Sequence, residues 1–252
     1  FLKNAPRRTC TTSIELGLID EIGSRIGWNV GDFSGLITHG GSIANLTALL
    51  TAMNAQFEDS WEHGLAPKPV IVVHAEAHYC IARAAGILGL GTKNIVKIPL
   101  DEHRRMNPEA LETTLRDLSE SNTPVLAVCA AACATPIGAF DELRAIGEIC
   151  HRHQAWFHVD AAHGGAVVFS EAHRQLLDGI ELADSVVIDA HKMMFVPALC
   201  AFVFYRNCDH ASAAFHQNAP YLFDPTAADI AEFDLGTRTL ECTKRAAGFG
   251  LW

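Results

Sequence analysis

Four places in this sequence carry residue types that could do chemistry together. Gly40-Gly41-Ser42 precedes a helical run, and glycines at a helix N-terminus leave free N–H groups that suit a phosphate. Lys192 follows an apolar run, where a lowered pKa would make its amine a nucleophile. Asp160 also ends an apolar run, and a carboxylate there could keep a pyridine nitrogen protonated. His78 could stack on a flat ring.

Each of these residues also has an ordinary structural interpretation. Gly-Gly-Ser before a helix is commonly plain capping, and Asp160 could cap the segment that follows it. Lys192 could extend its amine to solvent, and His78 could line the edge of a sheet. Only the combination is specific. A phosphate-binding loop is followed along the chain by Asp160 and then by Lys192, and together these groups suit pyridoxal 5'-phosphate. The sequence therefore predicts a site for this cofactor and assigns no metal to it.

Alternating apolar runs and amphipathic segments must position these residues. Apolar runs predict strands at 70–73, 94–98, 124–130, 156–159, 185–188 and 200–205, with a further strand end at Thr38. Periodicity and capping signals predict helices at 11–26, 42–56, 78–88 and 141–153, and another that begins at Asn107-Pro108. Continuously apolar strands separated by helices are typical of a mainly parallel sheet covered by helices on both faces.

Polar residues follow four of the predicted strands. These strand ends are 38–41, 74–76, 160–163 and 189–192. Open sheets of this kind place their chemistry at the carboxyl ends of strands. We therefore expect the four ends to be neighbours and to form one site.

Composition narrows the class of protein. The 252 residues are 49% hydrophobic with a net charge of −10, which argues against a nucleic-acid partner. No apolar run approaches the roughly 18 residues that span a membrane. The eight cysteines show no CxxC spacing, which favours a reducing, cytoplasmic location over a disulfide framework. The chain starts at Phe1 and stops in an apolar stretch, so we expect a piece of a longer protein.

The motifs around these residues resemble those of the group II pyridoxal-phosphate-dependent amino acid decarboxylases. The resemblance extends over nearly the whole chain and rests on His78 and on the motifs THGGSIAN (38–45), TPIGAFD (135–141), HVDAAHGG (158–165) and DAHKMM (189–194). It implies the fold type I architecture, an α/β large domain with a mainly parallel seven-stranded sheet. Residues 1–252 would be that cofactor-binding domain, with an N-terminal segment and a C-terminal small domain largely outside the chain.

The resemblance also implies roles for the residues that act on the ring. Lys192 would form the Schiff base with the cofactor, and Asp160 would pair with its pyridinium nitrogen. His78 would stack on one face of the ring, and Ala162 would pack against the other. Lys192, His78 and Asp160 are thus the predicted catalytic residues.

A second group of residues would hold the rest of the cofactor. By the same resemblance, the residues that bind its phosphate are Gly41, Ser42 and His191. Thr135 and Asp189 would contact the cofactor or its surroundings. The implied reaction converts an L-amino acid to an amine and CO2, in a homodimer with active sites at the subunit interface.

One feature departs from the family pattern. Decarboxylases of this family often use a tyrosine to protonate the α carbon of the substrate, and this tyrosine lies on a loop that follows the Schiff-base lysine. The three tyrosines here are Tyr79, Tyr205 and Tyr221, whereas the expected position falls near Asp229. Another reaction of fold type I enzymes, such as aldehyde synthesis or aminotransfer, is therefore an alternative.

An inert or metal-binding module is a further alternative. The chain has 13 histidines, including His151 and His153. These two should fall on opposite sides of a helix end, which is unsuited to sharing a metal ion.

Overall fold

The computed structural model describes residues 10–215, 235–241 and 243–252. Seven strands form one sheet, in the order β1-β7-β6-β5-β4-β2-β3. They are β1 (Ser34–Thr38), β2 (Val70–His74), β3 (Ile95–Ile98), β4 (Val125–Ala131), β5 (Phe157–Asp160), β6 (Ser185–Asp189) and β7 (Ala201–Tyr205).

The sheet is mainly parallel, as predicted. Strands β3, β2, β4, β5 and β6 pair in parallel, and β7 pairs antiparallel with both β6 and β1. Strand β1 therefore runs in the same direction as β6, and the carboxyl ends of every strand except β7 lie along one edge.

Helices cover both faces of the sheet. They are α1 (Cys10–Ile26), α2 (Gly41–Gln56), α3 (Ser60–His63), α4 (Tyr79–Ile87), α5 (Pro108–Glu120) and α6 (Leu143–Arg152). Buried residues of α1, α5 and α6 share one apolar cluster, and those of α2 and α4 share another. Strand β2 shows why both faces of the sheet must be covered, because its apolar side chains alternate between the faces. Val70 and Val72 belong to the first cluster, and Ile71 and Val73 belong to the second.

Local signals account for where these elements begin. The Asn107 side chain accepts the N–H of Ala110 at 3.0 Å, and Pro108 takes the first position of α5. The predicted helices and strands agree with the structure to within two residues at each end. Helix α3 and the short 3₁₀ turns between residues 164 and 182 were not predicted. Pro220, Pro225 and a lack of periodic apolar positions predict a loop at 218–231, and this segment lies outside the described residues.

The last described segment is anchored to α1 by a buried ion pair. Nζ of Lys244 lies 2.5 Å from Oε2 of Glu15, and both side chains are almost fully buried. A 3₁₀ turn at Ala247–Gly250 packs beside this pair, with the N–H of Gly248 donating to Glu15. No helix in the described ranges is both long and apolar enough to cross a membrane.

Candidate active site

A cavity of about 310 Å³ lies at the carboxyl edge of the sheet. Its walls come from the ends of β1, β4, β5 and β6, the segments that follow them, and the start of α4. All nine site residues predicted from the sequence line it: Gly41, Ser42, His78, Thr135, Asp160, Ala162, Asp189, His191 and Lys192. The fold thus gathers residues that are far apart along the chain into one pocket.

Lys192 is held inside this cavity by a carboxylate. Its Nζ lies 3.2 Å from Oδ2 of Asp189, the buried last residue of β6. Oδ1 of the same carboxylate has no hydrogen-bond partner within the described ranges. Burial raises the pKa of Asp189, and the ammonium of Lys192 opposes that rise. The amine therefore faces a buried charge at the end of β6.

Asp160 and His78 present two different groups to the same space. Oδ1 of Asp160, at the end of β5, accepts the N–H of Ala162 at 3.1 Å, so this carboxylate caps a turn while it lines the cavity. His78 is the N-cap of α4, and its Nδ1 accepts the N–H of Cys80 at 3.3 Å. Burial lowers the pKa of His78, although the carboxylate of Asp160 opposes the shift. A neutral imidazole is therefore favoured there.

The N-terminus of α2 forms the anion-binding end of the cavity. Its N-cap, Gly40, has φ 110° and supplies no side-chain cap, so no side chain satisfies the first N–H groups of the helix. These groups and the helix dipole attract an anion. A Cβ on Gly41 would lie only 2.7 Å from a carboxylate oxygen of Asp189, so a side chain does not fit there.

This set of groups fits pyridoxal phosphate. A primary amine suits the aldehyde, a carboxylate suits the pyridine nitrogen, and an uncapped helix N-terminus suits the phosphate. Gly41 leaves the backbone bare where the phosphate would approach. His191 lines the same pocket, with Nδ1 3.0 Å from the carbonyl oxygen of Cys200.

The cavity is also lined by residues that the sequence did not mark as site residues, among them Asn45 and Cys133. Asn45 lies one helical turn after Gly41 and is buried. Cys133 follows β4, lines the pocket and has a φ of 72°, which is uncommon for a residue with a side chain. Inside a helix Asn45 looks like any other polar residue, and nothing in the sequence marks the backbone of Cys133.

One predicted strand end lies outside the cavity. His74 ends β2 and is fully buried, where it accepts the N–H of Glu76 and donates to the carbonyl of Arg104. The Glu76 carboxylate pairs with the guanidinium of Arg104. The expectation that this end joins the site is wrong, because its polar groups hold a neighbouring loop. The four ends are also not all neighbours, since β7 separates β1 from β6 and β4 separates β5 from β2.

The tyrosines occupy different environments. Tyr205 is fully buried, and its hydroxyl accepts a hydrogen bond from Thr51 at 2.9 Å. Tyr79 is 61% exposed beside His78, with the guanidinium of Arg83 over its ring. Tyr221 lies outside the described residues. Tyr205 is thus remote from the cavity and engaged elsewhere.

His151 and His153 have separate partners. Nε2 of His151 lies 3.1 Å from the carbonyl oxygen of Leu182, and Nε2 of His153 lies 2.6 Å from Oε1 of Glu112. In the part of the chain that the structure describes, no group of three or more His, Cys, Asp or Glu residues is arranged to hold a metal ion.

Comparison with known proteins agrees with this geometry. The model of the pyridoxal-dependent decarboxylase conserved domain matches residues 4–252. The chain belongs to the pyridoxal-dependent decarboxylase family. The predicted family, the α/β fold of type I and the cofactor are thereby confirmed.

Several family members are similar over almost all of this chain. The acidic amino acid decarboxylase of Bos taurus is 35% identical over 242 residues, which cover 95% of this chain and 46% of that protein. The cysteine sulfinic acid decarboxylase of Mus musculus is 37% identical, with 95% and 49% covered. The L-aspartate decarboxylase of Metarhizium robertsii is 37% identical, with 92% and 47% covered.

A solved structure of the family has the same fold. The crystal structure of mouse CSAD has a TM-score of 0.89 and 34% identity, covering 96% of this chain and 50% of that one. The chain spans about half the length of the curated relatives it matches.

Proposed function

We propose that this chain is the cofactor-binding large domain of an enzyme that decarboxylates an acidic L-amino acid to an amine and CO2. The observation that carries the proposal is the convergence of Lys192, Asp160 and the α2 N-terminus on one cavity. Enzymes named for acidic amino acids, cysteine sulfinic acid and L-aspartate, at 35–37% identity, support the substrate class.

Pyridoxal phosphate, when bound, supplies a conjugated ring that accepts the electron pair left when the carboxylate departs as CO2. The residues of this chain position charged and polar groups around that ring. Lys192 offers the amine for covalent attachment, and Asp189 holds that amine at 3.2 Å. Asp160 keeps a proton on the ring nitrogen, because a carboxylate stabilises a cation beside it. The N-terminus of α2 neutralises the phosphate.

The charge of the cavity lining is compatible with an anionic substrate. Its acidic members are Asp160 and Asp189, which face the predicted ring nitrogen and Lys192. Four imidazoles also line the polar wall, those of His39, His78, His163 and His191. Imidazoles donate hydrogen bonds to carboxylate and sulfinate oxygens.

The substrate and reaction are tested together on the full-length protein. L-Aspartate, L-glutamate and L-cysteine sulfinate are supplied with pyridoxal phosphate, next to L-tryptophan as an apolar control, and CO2, amine, ammonia and hydrogen peroxide are measured. We expect CO2 and amine in equal amounts from an acidic substrate, and none from Lys192→Ala. Ammonia and peroxide in place of amine would instead indicate aldehyde synthesis, and no CO2 from any substrate would refute the proposal.

We also propose that the full-length enzyme is a cytoplasmic homodimer. Exposed apolar side chains flank the cavity at Met193, Phe195 and Leu199, and Phe195 is 86% exposed. An apolar patch of this kind is typical of a subunit interface. The seven described cysteines are all unpaired, which supports a reducing compartment. Light scattering should give the mass of two chains, and a monomer at all concentrations would contradict the dimer.

A further inference from the structure

A chain of buried side chains runs beneath the cavity. Nε1 of Trp156 lies 2.9 Å from Oγ of Ser185, which lies 2.8 Å from Nδ1 of His158. Nε2 of His158 lies 2.8 Å from Oδ1 of Asn45, and Nδ2 of Asn45 donates to the carbonyl of Gly41 at 2.8 Å. The four side chains are all buried. We refer to them as the buried hydrogen-bond chain.

The chemistry of its members allows one direction of donation. The indole of Trp156 can only donate, so the oxygen of Ser185 accepts and its hydroxyl proton is free for Nδ1 of His158. Because Oδ1 of Asn45 can only accept, the neutral ring of His158 carries its proton on Nε2 and donates it there, which leaves Nδ1 to accept from Ser185. Burial lowers the pKa of His158 to about 4, which keeps the ring neutral. Each of the four contacts thereby joins a donor to an acceptor, and such a network is rigid.

The buried hydrogen-bond chain joins the two parts of the fold that face opposite ends of the cofactor. His158 and Asp160 lie two residues apart on β5 and therefore point to the same side of the sheet. Asn45 reaches back to Gly41 in the first turn of α2, where Gly41 and Ser42 line the cavity. The buried hydrogen-bond chain thus connects β5, which carries Asp160, to the first turn of α2, which is predicted to bind the phosphate.

We propose that His158 and Asn45 are positioning residues that set the separation between Asp160 and the first turn of α2 to the length of pyridoxal phosphate. The inference rests on the cofactor binding of the proposed function. Neither residue is asked to touch the reacting atoms. Both act by fixing β5 and α2 relative to each other.

The test compares Asn45→Ala with Thr51→Val, a matched control on the same helix. Thr51 also makes a buried hydrogen bond from α2 to the sheet, to Tyr205 at 2.9 Å, and does not line the cavity. For both full-length variants, the dissociation constant of pyridoxal phosphate, the visible circular dichroism of the bound cofactor and the melting temperature of the cofactor-free protein are measured.

We expect Asn45→Ala to weaken cofactor binding about tenfold or more and to alter the visible dichroism per bound cofactor. Thr51→Val should lower the melting temperature to a similar degree and leave binding within about twofold. Equal binding by Asn45→Ala and wild type, or equal weakening by Thr51→Val, would overturn the proposal.

A second pair of variants covers the case in which Asn45→Ala does not fold. Ser185→Ala removes the partner of Nδ1 on His158, whereas Ser185→Thr retains a hydroxyl. We expect the alanine variant to lose cofactor affinity and the threonine variant to recover it, and equal affinities would refute the positioning role. Wild-type protein that fails to bind the cofactor covalently would instead refute the proposed function.

Discussion

Replacement of Gly41 by alanine tests the packing of the cavity most sharply. The added Cβ would lie 2.7 and 2.8 Å from the two carboxylate oxygens of Asp189. Asp189 is buried and 3.2 Å from Nζ of Lys192, so its side chain cannot move away without losing that contact. Overpacking of this kind costs about 1–3 kcal/mol. Without a clash, alanine in place of glycine in a helix would stabilise by up to about 1 kcal/mol, so the two effects have opposite signs.

Urea denaturation of the full-length protein measures the difference in the free energy of unfolding. The control is Gly86→Ala in α4, where an added Cβ meets nothing within 4 Å. We expect Gly41→Ala to be destabilised by about 1–3 kcal/mol and Gly86→Ala to be as stable as wild type or more so. Equal stability of the two variants would show that a Cβ at position 41 meets no clash.

A double-mutant cycle attributes the loss to Asp189. In the Asp189→Ala background the added methyl group has room, so Gly41→Ala should cost little or nothing there. The expected coupling between the two positions is about 0.5–3 kcal/mol. No measurable coupling would show that Gly41 and Asp189 do not contact each other.

Three further predictions concern buried groups. Burial lowers the pKa of His158 from 6.5 to about 4. Between pH 6.5 and about 4 the unfolded chain binds this proton and the folded chain does not, so the free energy of unfolding should fall by about 3 kcal/mol as the pH drops through that range. Urea denaturation of His158→Asn should show a shallower fall over the same pH range. Because burial raises the pKa of Cys80 to about 12, iodoacetamide at about pH 8 should modify the exposed Cys208 and spare Cys80, as peptide mass spectrometry would show. Lys244→Met leaves the Glu15 carboxylate buried without its cation and should cost about 3–5 kcal/mol of unfolding free energy, most of which the added change Glu15→Leu should recover.

Elements with strong local signals were predictable from the sequence. The apolar run at 70–73 and the Asn107-Pro108 cap specify β2 and the start of α5 through neighbouring residues alone. Strand order was less accessible, because pairing joins residues that are far apart. Ser34 pairs with Tyr205, and this antiparallel contact places β7 between β1 and β6. Nothing within either strand encodes that neighbour.

Lys192 and Asp160 were predictable because a charged residue directly after an apolar run is conspicuous. Asn45 was not, since inside a helix it looks like any polar residue. Its role depends on His158, 113 positions away. Glu76 shows the converse, because a polar residue at a strand end can serve the structure alone, here through Arg104. Residue type and position identify candidate site residues, and the fold determines which of them line the cavity.

Covalent capture of the cofactor shows directly whether Lys192 is the residue that holds it. The full-length protein is saturated with pyridoxal phosphate, reduced with borohydride, digested and analysed by mass spectrometry. We expect the added mass on the peptide that contains Lys192, a visible absorbance band lost on reduction, and no labelling of Lys192→Ala. Label on another lysine, or equal labelling of that variant, would contradict it.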